Sequence, residues 1–211
     1  MHAYLLELAS LMAVFSFAIV SPGADTAMVM RQAMVHGRRE AILTSFGIGT
    51  SLMFHVTYTI LGLGLIISKS LLLFSIIKWA GAAYLIYMGV MALRAGKTDL
   101  DPVADGAEPA RQSALRAFGL GFLANALNPK PVLFFLSIFS ALVAASTPGT
   151  VKFGYGLVMA ACLIAWFVGV SFFMTTPRMR AAFSRASKWI NRASGMVFIA
   201  FGLKLAATRA G

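Results

Sequence analysis

Two proline-containing segments hold the residues of this sequence whose types and spacing could do chemistry. The first comprises Ser21, Pro22, Gly23, Ala24 and Asp25, and the second comprises Asn125, Asn128, Pro129, Lys130 and Pro131. Proline inside a helix removes a hydrogen-bond donor and strands a carbonyl group, and a neighbouring glycine lets the backbone open. Both segments lie in apolar surroundings, where an ionisable side chain is by default a functional hypothesis.

Asp25 and Lys130 would bring opposite charges to these two breaks. We expect Asp25 to hold a cationic group or a proton, and Lys130 with a half-helix N-terminus to hold a carboxylate. The two side chains could neutralise each other in an empty site, and an amino acid could replace the pair group for group. Two simpler interpretations stay open: Asp25 could face water beside a kink, and Lys130 could extend to the membrane interface.

Three further side chains are candidates of lower specificity. His55 lies in the middle of an apolar segment, where a proton carrier and a neutral histidine bonded to another helix are both compatible with the pattern. Glu7 is interpreted as an interfacial residue. Cys162 is the single cysteine, which excludes an intramolecular disulfide, and the sequence predicts neither a metal site nor a cofactor.

The composition places these segments in a membrane. Of the 211 residues, 59% are apolar and 12% are charged, whereas a soluble domain carries about a quarter charged residues. At roughly 20 residues per span, the chain has room for about six transmembrane helices. The net charge of +11 then indicates basic loops rather than nucleic-acid binding, because no basic stretch is interleaved with exposed aromatic residues.

The predicted spans run from about 4–30, 41–67, 71–93, 115–146, 151–176 and 189–207, and proline breaks the first and the fourth. No basic region precedes the first apolar stretch, which we therefore take as a span and not a cleavable signal. Four basic residues lie on one side of this arrangement, and eleven lie on the other: Arg31, Arg38, Arg39, Arg94, Lys97, Arg111, Arg116, Arg178, Arg180, Arg185 and Lys188. This bias places the middle linker in the cytoplasm and both termini outside.

The two halves of the chain resemble each other. Ser21-Pro22-Gly23 stands 107 residues before Asn128-Pro129-Lys130, and Phe46-Gly47 has the same offset from Phe153-Gly154. A three-helix unit starts on one side of the membrane and ends on the other, so its copy must be inverted. We predict an all-α integral membrane protein with one domain over 1–211: repeat one at about 1–94, a cytoplasmic linker at about 95–114 and repeat two at about 115–211.

Glycine pairs recur along the predicted spans. Small residues let helices approach closely in lipid, and we assign this role to Gly47, Gly49, Gly62, Gly64, Gly119, Gly121, Gly154 and Gly156. They do not form a phosphate-binding loop, because no Gly-Lys-Ser/Thr follows them.

Several of these motifs together resemble the LysE/RhtB family of amino-acid exporters. The resemblance rests on Ser-Pro-Gly-Ala-Asp-Thr at 21–26, Gly-Arg-Arg at 37–39, Ile-Lys-Trp-Ala-Gly-Ala-Ala-Tyr-Leu at 77–85 and Gly-Phe-Leu-Ala-Asn-Ala-Leu-Asn-Pro-Lys at 121–130. Family members often have Pro-Gly-Pro in the first motif, where this chain has Ala24. The resemblance implies secondary active export of amino acids or related small metabolites across a bacterial inner membrane, driven by a proton or other ion gradient. It carries over Pro22, Gly23, Asp25, Asn128, Pro129 and Lys130 as pathway residues, to which we add Ser21, Asn125 and His55.

Other functions stay open at this point. The chain could export another solute, such as a metal cation or a homoserine-lactone-like metabolite, or it could be a membrane subunit or sensor that transports nothing. An intramembrane enzyme is disfavoured, because Glu7, Asp25 and His55 are too few and too scattered for a catalytic cluster. The expected partners are membrane lipid, a small solute and a coupling ion such as H⁺, and homo-oligomer formation is left open.

Overall fold

The computed structural model describes residues 2–69, 71–96, 112–173 and 176–207. Within these ranges the regular structure is entirely helical, which confirms the predicted all-α class. The helices are α1 (His2–Val20), α2 (Ala24–Val35), α3 (Arg38–Lys69), α4 (Leu71–Arg94), α5 (Ala114–Ala126), α6 (Pro129–Leu142), α7 (Gly149–Phe173) and α8 (Pro177–Ala207). Most of the predicted linker at 95–114, and the C-terminal Arg209, lie outside the described residues.

Both predicted proline breaks are present. α1 ends at Val20, and Gly23 precedes α2 in an extended conformation with φ −161° and ψ −170°. α5 ends at Ala126, and the next helix, which starts with Pro129, is bent from it by 58°. Proline suits the first position of a helix because the N–H it lacks would have had no helical partner there. Each break is therefore a short non-helical stretch between two helices.

Two segments predicted as basic loops are helical, which corrects the predicted boundaries. α2 continues to Val35, so Arg31 lies on the helix, and the turn comes at Gly37 with its left-handed φ of +97°. α8 begins at Pro177 rather than near 189, so Arg185 is also helical. Neither segment contains an internal helix breaker, and Arg, Lys, Met and Ala are good helix formers. Charge alone was a poor guide to where these helices end.

The apolar helices are those of an integral membrane protein. α1, α7 and the Ala181–Ala207 part of α8 are each long and apolar enough to cross a membrane. The bent pair α5–α6 adds a fourth crossing if it is counted as one span. The predicted total of six spans, and the inverted repeat, stay predictions.

Close helix contacts through glycine form in part of the predicted set. A Cβ atom on Gly121 of α5 would collide with the carbonyl group of Thr44 on α3, and one on Gly47 would collide with that of Phe118. The prediction is thus confirmed for the α3–α5 contact. It is wrong for three glycines that have no described atom within 4 Å of the Cβ position, namely Gly62, Gly119 and Gly154.

Aromatic rings fill the centre of the bundle near both breaks. The Phe15 ring of α1 lies 6.4 Å from Phe134 and 6.1 Å from Phe135 of α6, measured between ring centroids. Phe134 in turn lies 6.1 Å from Phe198 of α8 in an edge-to-face arrangement, which is a favourable geometry for aromatic pairs. These rings join three helices, and those of Phe15, Phe134 and Phe135 form one wall of the cavity described next.

Candidate functional site

The two breaks meet at a central cavity. The volume open to the centres of water molecules is about 70 Å³, and one water needs roughly 10–15 Å³. The cavity therefore has room for several waters or for the charged head of a small zwitterion. Its polar lining comes from both predicted segments: Ser21, Gly23, Asp25, Thr26, Asn125, Asn128 and Lys130. The sequence-based prediction that these segments approach each other is confirmed.

Asp25 presents one unused carboxylate oxygen. Asn125, only 3% exposed, donates from Nδ2 to Asp25 Oδ2 at 2.8 Å. The other oxygen, Oδ1, is buried and has no hydrogen-bond partner among the described residues. A buried acceptor without a donor is unfavourable unless water or a ligand supplies one. Asp25 is therefore placed to accept a hydrogen bond from a cationic group in the cavity.

Lys130 supplies the opposite charge without touching Asp25. Its Nζ lies over the first break, 3.4 Å from where a Cβ atom on Gly23 would be. Asp25 and Lys130 interact electrostatically, yet the ion pair found within 4.0 Å in the described part of the chain joins Arg39 and Glu40. The predicted neutralisation of Asp25 by Lys130 thus does not take the form of a direct ion pair. A gap separates the two charges, and a solute bearing both charges could bridge it.

His55 acts on the cavity through Asn125. The ring is fully buried, and its Nε2 lies 3.1 Å from both the backbone oxygen and Oδ1 of Asn125. Because both of these atoms accept, Nε2 carries the hydrogen, and Nδ1 of the neutral ring accepts from the Tyr58 hydroxyl group at 2.8 Å. The donors then run in one direction from Tyr58 through His55 and Asn125 to Asp25. This arrangement favours an orienting role over proton carriage.

The start of α6 has no free backbone donor. The N–H of Asn128 bonds to the Asn125 carbonyl group at 3.1 Å, and the Asn128 side chain accepts from the Lys130 N–H at 3.0 Å. Pro129 and Pro131 have no N–H. The four amides that an α-helix leaves without helical partners are therefore all used or missing. The expectation that a half-helix N-terminus binds a carboxylate is wrong for α6.

The start of α2 differs in this respect. Gly23 precedes it without a side-chain cap. Ala24, Asp25 and Thr26 form its first turn, and all three line the cavity. First-turn amides carry the positive end of the helix dipole. That a half-helix N-terminus holds a carboxylate therefore stays a prediction for the start of α2, which lies beside the Lys130 ammonium group.

A second cavity lies on the other side of Ser21 and Lys130. Its volume is about 310 Å³, and it is lined by Ser21, Pro22, Tyr84, Tyr87, Met88, Met91, Ala92, Ala95, Lys130, Asn191 and Phe198. Ser21 donates from Oγ to Asn191 Oδ1 at 3.3 Å, and Asn191 Nδ2 lies 3.5 Å from the Gly96 carbonyl oxygen. Asn191 was not predicted. The signal that could have pointed to it is an amide side chain within the apolar part of α8.

At the opposite end of the bundle lies a second group of residues, which we call the Glu7 cluster (Glu7, Ala144, Thr147, Tyr155) and of which sequence reasoning considered Glu7 alone. The Glu7 carboxylate accepts from the Ala144 N–H, the Thr147 hydroxyl group and the Tyr155 hydroxyl group, each at 2.9 Å. It ties α1 to the α6–α7 turn and to α7. Its predicted interfacial position did not reveal these partners.

The described ranges contain no group of three or more His, Cys, Asp or Glu side chains that could hold a metal ion.

Comparison with known proteins places this geometry in context. The family model for LysE type translocators matches residues 16–209. The threonine efflux protein of Escherichia coli K12 is 34% identical over 194 residues, covering 91% of this chain and 93% of that protein. The homoserine/homoserine lactone efflux protein of Salmonella typhimurium is 32% identical over 194 residues, covering 90% and 91%. No solved structure shows significant similarity.

Proposed function

Because this chain belongs to the LysE type translocator family, we propose that it exports amino acids or closely related small metabolites across the cytoplasmic membrane of a bacterium. Relatives named as threonine and homoserine/homoserine lactone efflux proteins support this class of solute. The family consists of transporters, which points away from an enzyme.

The observation that carries the proposal is the separated pair of charges in the central cavity. A zwitterion fits with its ammonium group on Asp25 Oδ1 and its carboxylate between Lys130 Nζ and the first turn of α2. The ammonium contact would satisfy Asp25 Oδ1, which has no hydrogen-bond partner among the described residues. The side chain of the solute would then face the apolar wall of Phe15, Phe134, Phe135 and Phe167, with the Thr26 hydroxyl group nearby.

The remaining predicted site residues have supporting roles in this proposal. Pro22 and Pro129 keep the two breaks open, because a proline cannot donate the helical hydrogen bond that would close them. Gly23 brings the backbone of the first break beside the Lys130 ammonium group, whose Nζ lies 3.4 Å from the position of a Cβ atom on Gly23. Asn125 and Asn128 hold Asp25 and the start of α6, and His55 holds Asn125.

We propose six spans arranged as two inverted repeats. A broken pair followed by two long helices occurs twice along the chain. α3 has 32 residues and α4 has 24, and a bilayer core needs about 20. Helices at equivalent places, α3 with α7 and α4 with α8, pack against each other. With the linker in the cytoplasm, as the basic residues predict, both termini lie outside.

Coupling to a proton or ion gradient completes the proposal. The sequence has no phosphate-binding loop for ATP, so concentrative export would draw on a gradient. Asp25 is the group we propose to alternate between a proton and the solute ammonium group. Its carboxylate reaches His55 only through the Asn125 amide, so a proton would arrive through the cavity itself.

An efflux assay tests the proposed function. Cells loaded with dipeptides containing threonine or homoserine should release the free amino acid faster when this protein is made. Asp25→Asn or Lys130→Met should lower that release at least about tenfold, since a hydrogen bond to a charged group contributes roughly 1.5–3 kcal/mol. Ser137→Ala is the matched control, because Ser137 is fully buried and bonded to the Gly81 carbonyl group away from the cavity.

Two results would contradict the proposal in different ways. If no amino acid, analogue or toxic derivative is released faster, the class of solute is wrong. If release occurs but Asp25→Asn exports like the unaltered protein at equal abundance in the membrane, the class is right and the site is wrong.

A further inference from the structure

We infer that the second cavity is the vestibule through which a solute reaches the central cavity from the linker end of the bundle, and that the Ser21–Asn191 hydrogen bond is the gate between them. The nature of the solute rests on the proposed function. The path itself rests on the geometry alone.

The two cavities share part of their lining. Ser21, Met88 and Lys130 line both of them. Ser21 belongs to the non-helical break between α1 and α2, and its hydroxyl group reaches Asn191 on α8, 170 positions away. Moving this one contact would join the two spaces, because the same residues already form both walls.

The lining of the vestibule suits a small zwitterion. Its 310 Å³ lies within the range of small-molecule pockets, roughly 300–1,000 Å³. Its polar lining residues are Ser21, Tyr84, Tyr87, Lys130 and Asn191, and most of the others are apolar. Ala95, the first residue after α4, also lines it, so the space extends to the end of the bundle where the linker begins.

The hydrogen bonds at the two ends of the bundle differ in quality. On the vestibule side, the Ser21–Asn191 and Asn191–Gly96 distances of 3.3 and 3.5 Å are at the long limit for hydrogen bonds. In the Glu7 cluster, one carboxylate accepts three bonds of 2.9 Å, and bonds to a charged group are about twice as strong as neutral ones. The hydrogen bonds that join the helices are thus stronger at the Glu7 end than at the linker end.

Cysteine labelling in membrane vesicles tests the gate without requiring transport. In a Cys162→Ser background, Ala92→Cys reports on the vestibule, Ala18→Cys reports on the central cavity, and Ala114→Cys marks the linker side. Ala92 and Ala18 each line one of the two cavities only. A small cationic methanethiosulfonate reagent is added separately to vesicles of each orientation, and the rate of modification is measured.

We expect Ala92→Cys to react from the same side as Ala114→Cys. Adding Asn191→Ala removes the Ser21–Asn191 bond together with the weak bond to Gly96, and the loss of the former should speed the reaction of Ala18→Cys roughly two- to tenfold. Ser194→Ala should leave that rate unchanged, since Ser194 is also buried on α8 but bonds to the Phe17 carbonyl group and lines neither cavity. Ser21→Ala removes the donor of the same hydrogen bond and should therefore also speed the labelling of Ala18→Cys.

The inference is overturned if Ala92→Cys reacts only from the opposite side. It is equally overturned if neither Asn191→Ala nor Ser21→Ala speeds the labelling of Ala18→Cys. The labelling rates are measured without any solute, so they keep their meaning even if the efflux assay shows that amino acids are not exported.

Discussion

Replacing Asn125 by leucine roughly preserves the size of the side chain and removes both of its hydrogen-bonding functions. Asn125 is 3% exposed and stands between Asp25 and His55. The bond to the Asp25 carboxylate, a charged acceptor, contributes about 1.5–3 kcal/mol, and a neutral bond about 0.5–1.5 kcal/mol. His55 keeps a second acceptor, the backbone oxygen of residue 125 at 3.1 Å, so the loss at that ring lies at the low end.

The expected loss in the free energy of unfolding is therefore about 2–4 kcal/mol. For a chain of this size, 1 kcal/mol corresponds to a shift in Tm of about 2–4 °C. Asn125→Leu should then lower the apparent Tm by roughly 5–15 °C, measured by tryptophan fluorescence of the purified protein in detergent. Export should also fall at least about tenfold at temperatures where the variant is folded, because Asp25 loses the donor that fixes its orientation.

Ser137→Ala separates this effect from the general cost of losing a buried hydroxyl group. Ser137 is fully buried, and its loss should cost about 1 kcal/mol, or 2–4 °C, with normal export. If Asn125→Leu lowers the apparent Tm by no more than Ser137→Ala does, the Asn125 amide does not hold Asp25 in place. The hydrogen bonds that run from Tyr58 through His55 and Asn125 to Asp25 would then contribute little to the stability of the protein.

Two further predictions concern the packing of the bundle. Gly121→Ala should destabilise the protein by about 1–3 kcal/mol, because its Cβ atom would collide with the Thr44 carbonyl group, whereas Gly119→Ala, with open space around it, should be neutral or slightly stabilising; equal melting temperatures would contradict the tight α3–α5 contact. Glu7→Ala should lower the apparent Tm more than Tyr155→Phe, because it removes the common acceptor of three bonds rather than one donor. A Glu7→Ala shift no larger than that of Tyr155→Phe would show that the carboxylate is not the centre of its cluster.

The breaks and the charges of the site could be predicted because their causes are local. Pro22 and Pro129 disturb the backbone wherever they stand in a helix. Asp25 and Lys130 are conspicuous because an apolar segment holds few charges. The internal repeat then indicated which break faces which, and the structure confirms that they meet at one cavity.

The contacts that hold the site together could not be predicted in the same way. Asn191 lies 170 positions from Ser21, and Tyr155 lies 148 positions from Glu7, so no spacing rule joins them. Tyr58 is the exception. It follows His55 by three residues on the same helix, and side chains at that spacing are neighbours.

The helix boundaries failed for a different reason. The segments around Arg31 on α2 and around Arg185 near the start of α8 were interpreted as loops because charge is unfavourable within a bilayer. Arginine and lysine are nevertheless strong helix formers. A helix can extend past the membrane into water, and hydropathy detects only the part that stays inside.

The backbone at the start of α6 limits the orientation in which a charged solute can bind. The N–H groups at its N-terminus either already donate hydrogen bonds or are missing because the residue is proline. The first turn of α2, in contrast, has no side-chain cap. The two halves of the chain are therefore not interchangeable at their meeting point, however alike their sequences are. One contributes the Asp25 carboxylate and amide dipoles and the other contributes the Lys130 ammonium group. The zwitterion that we propose would therefore have a single favourable orientation, and its mirror-image isomer would point its side chain away from the aromatic wall.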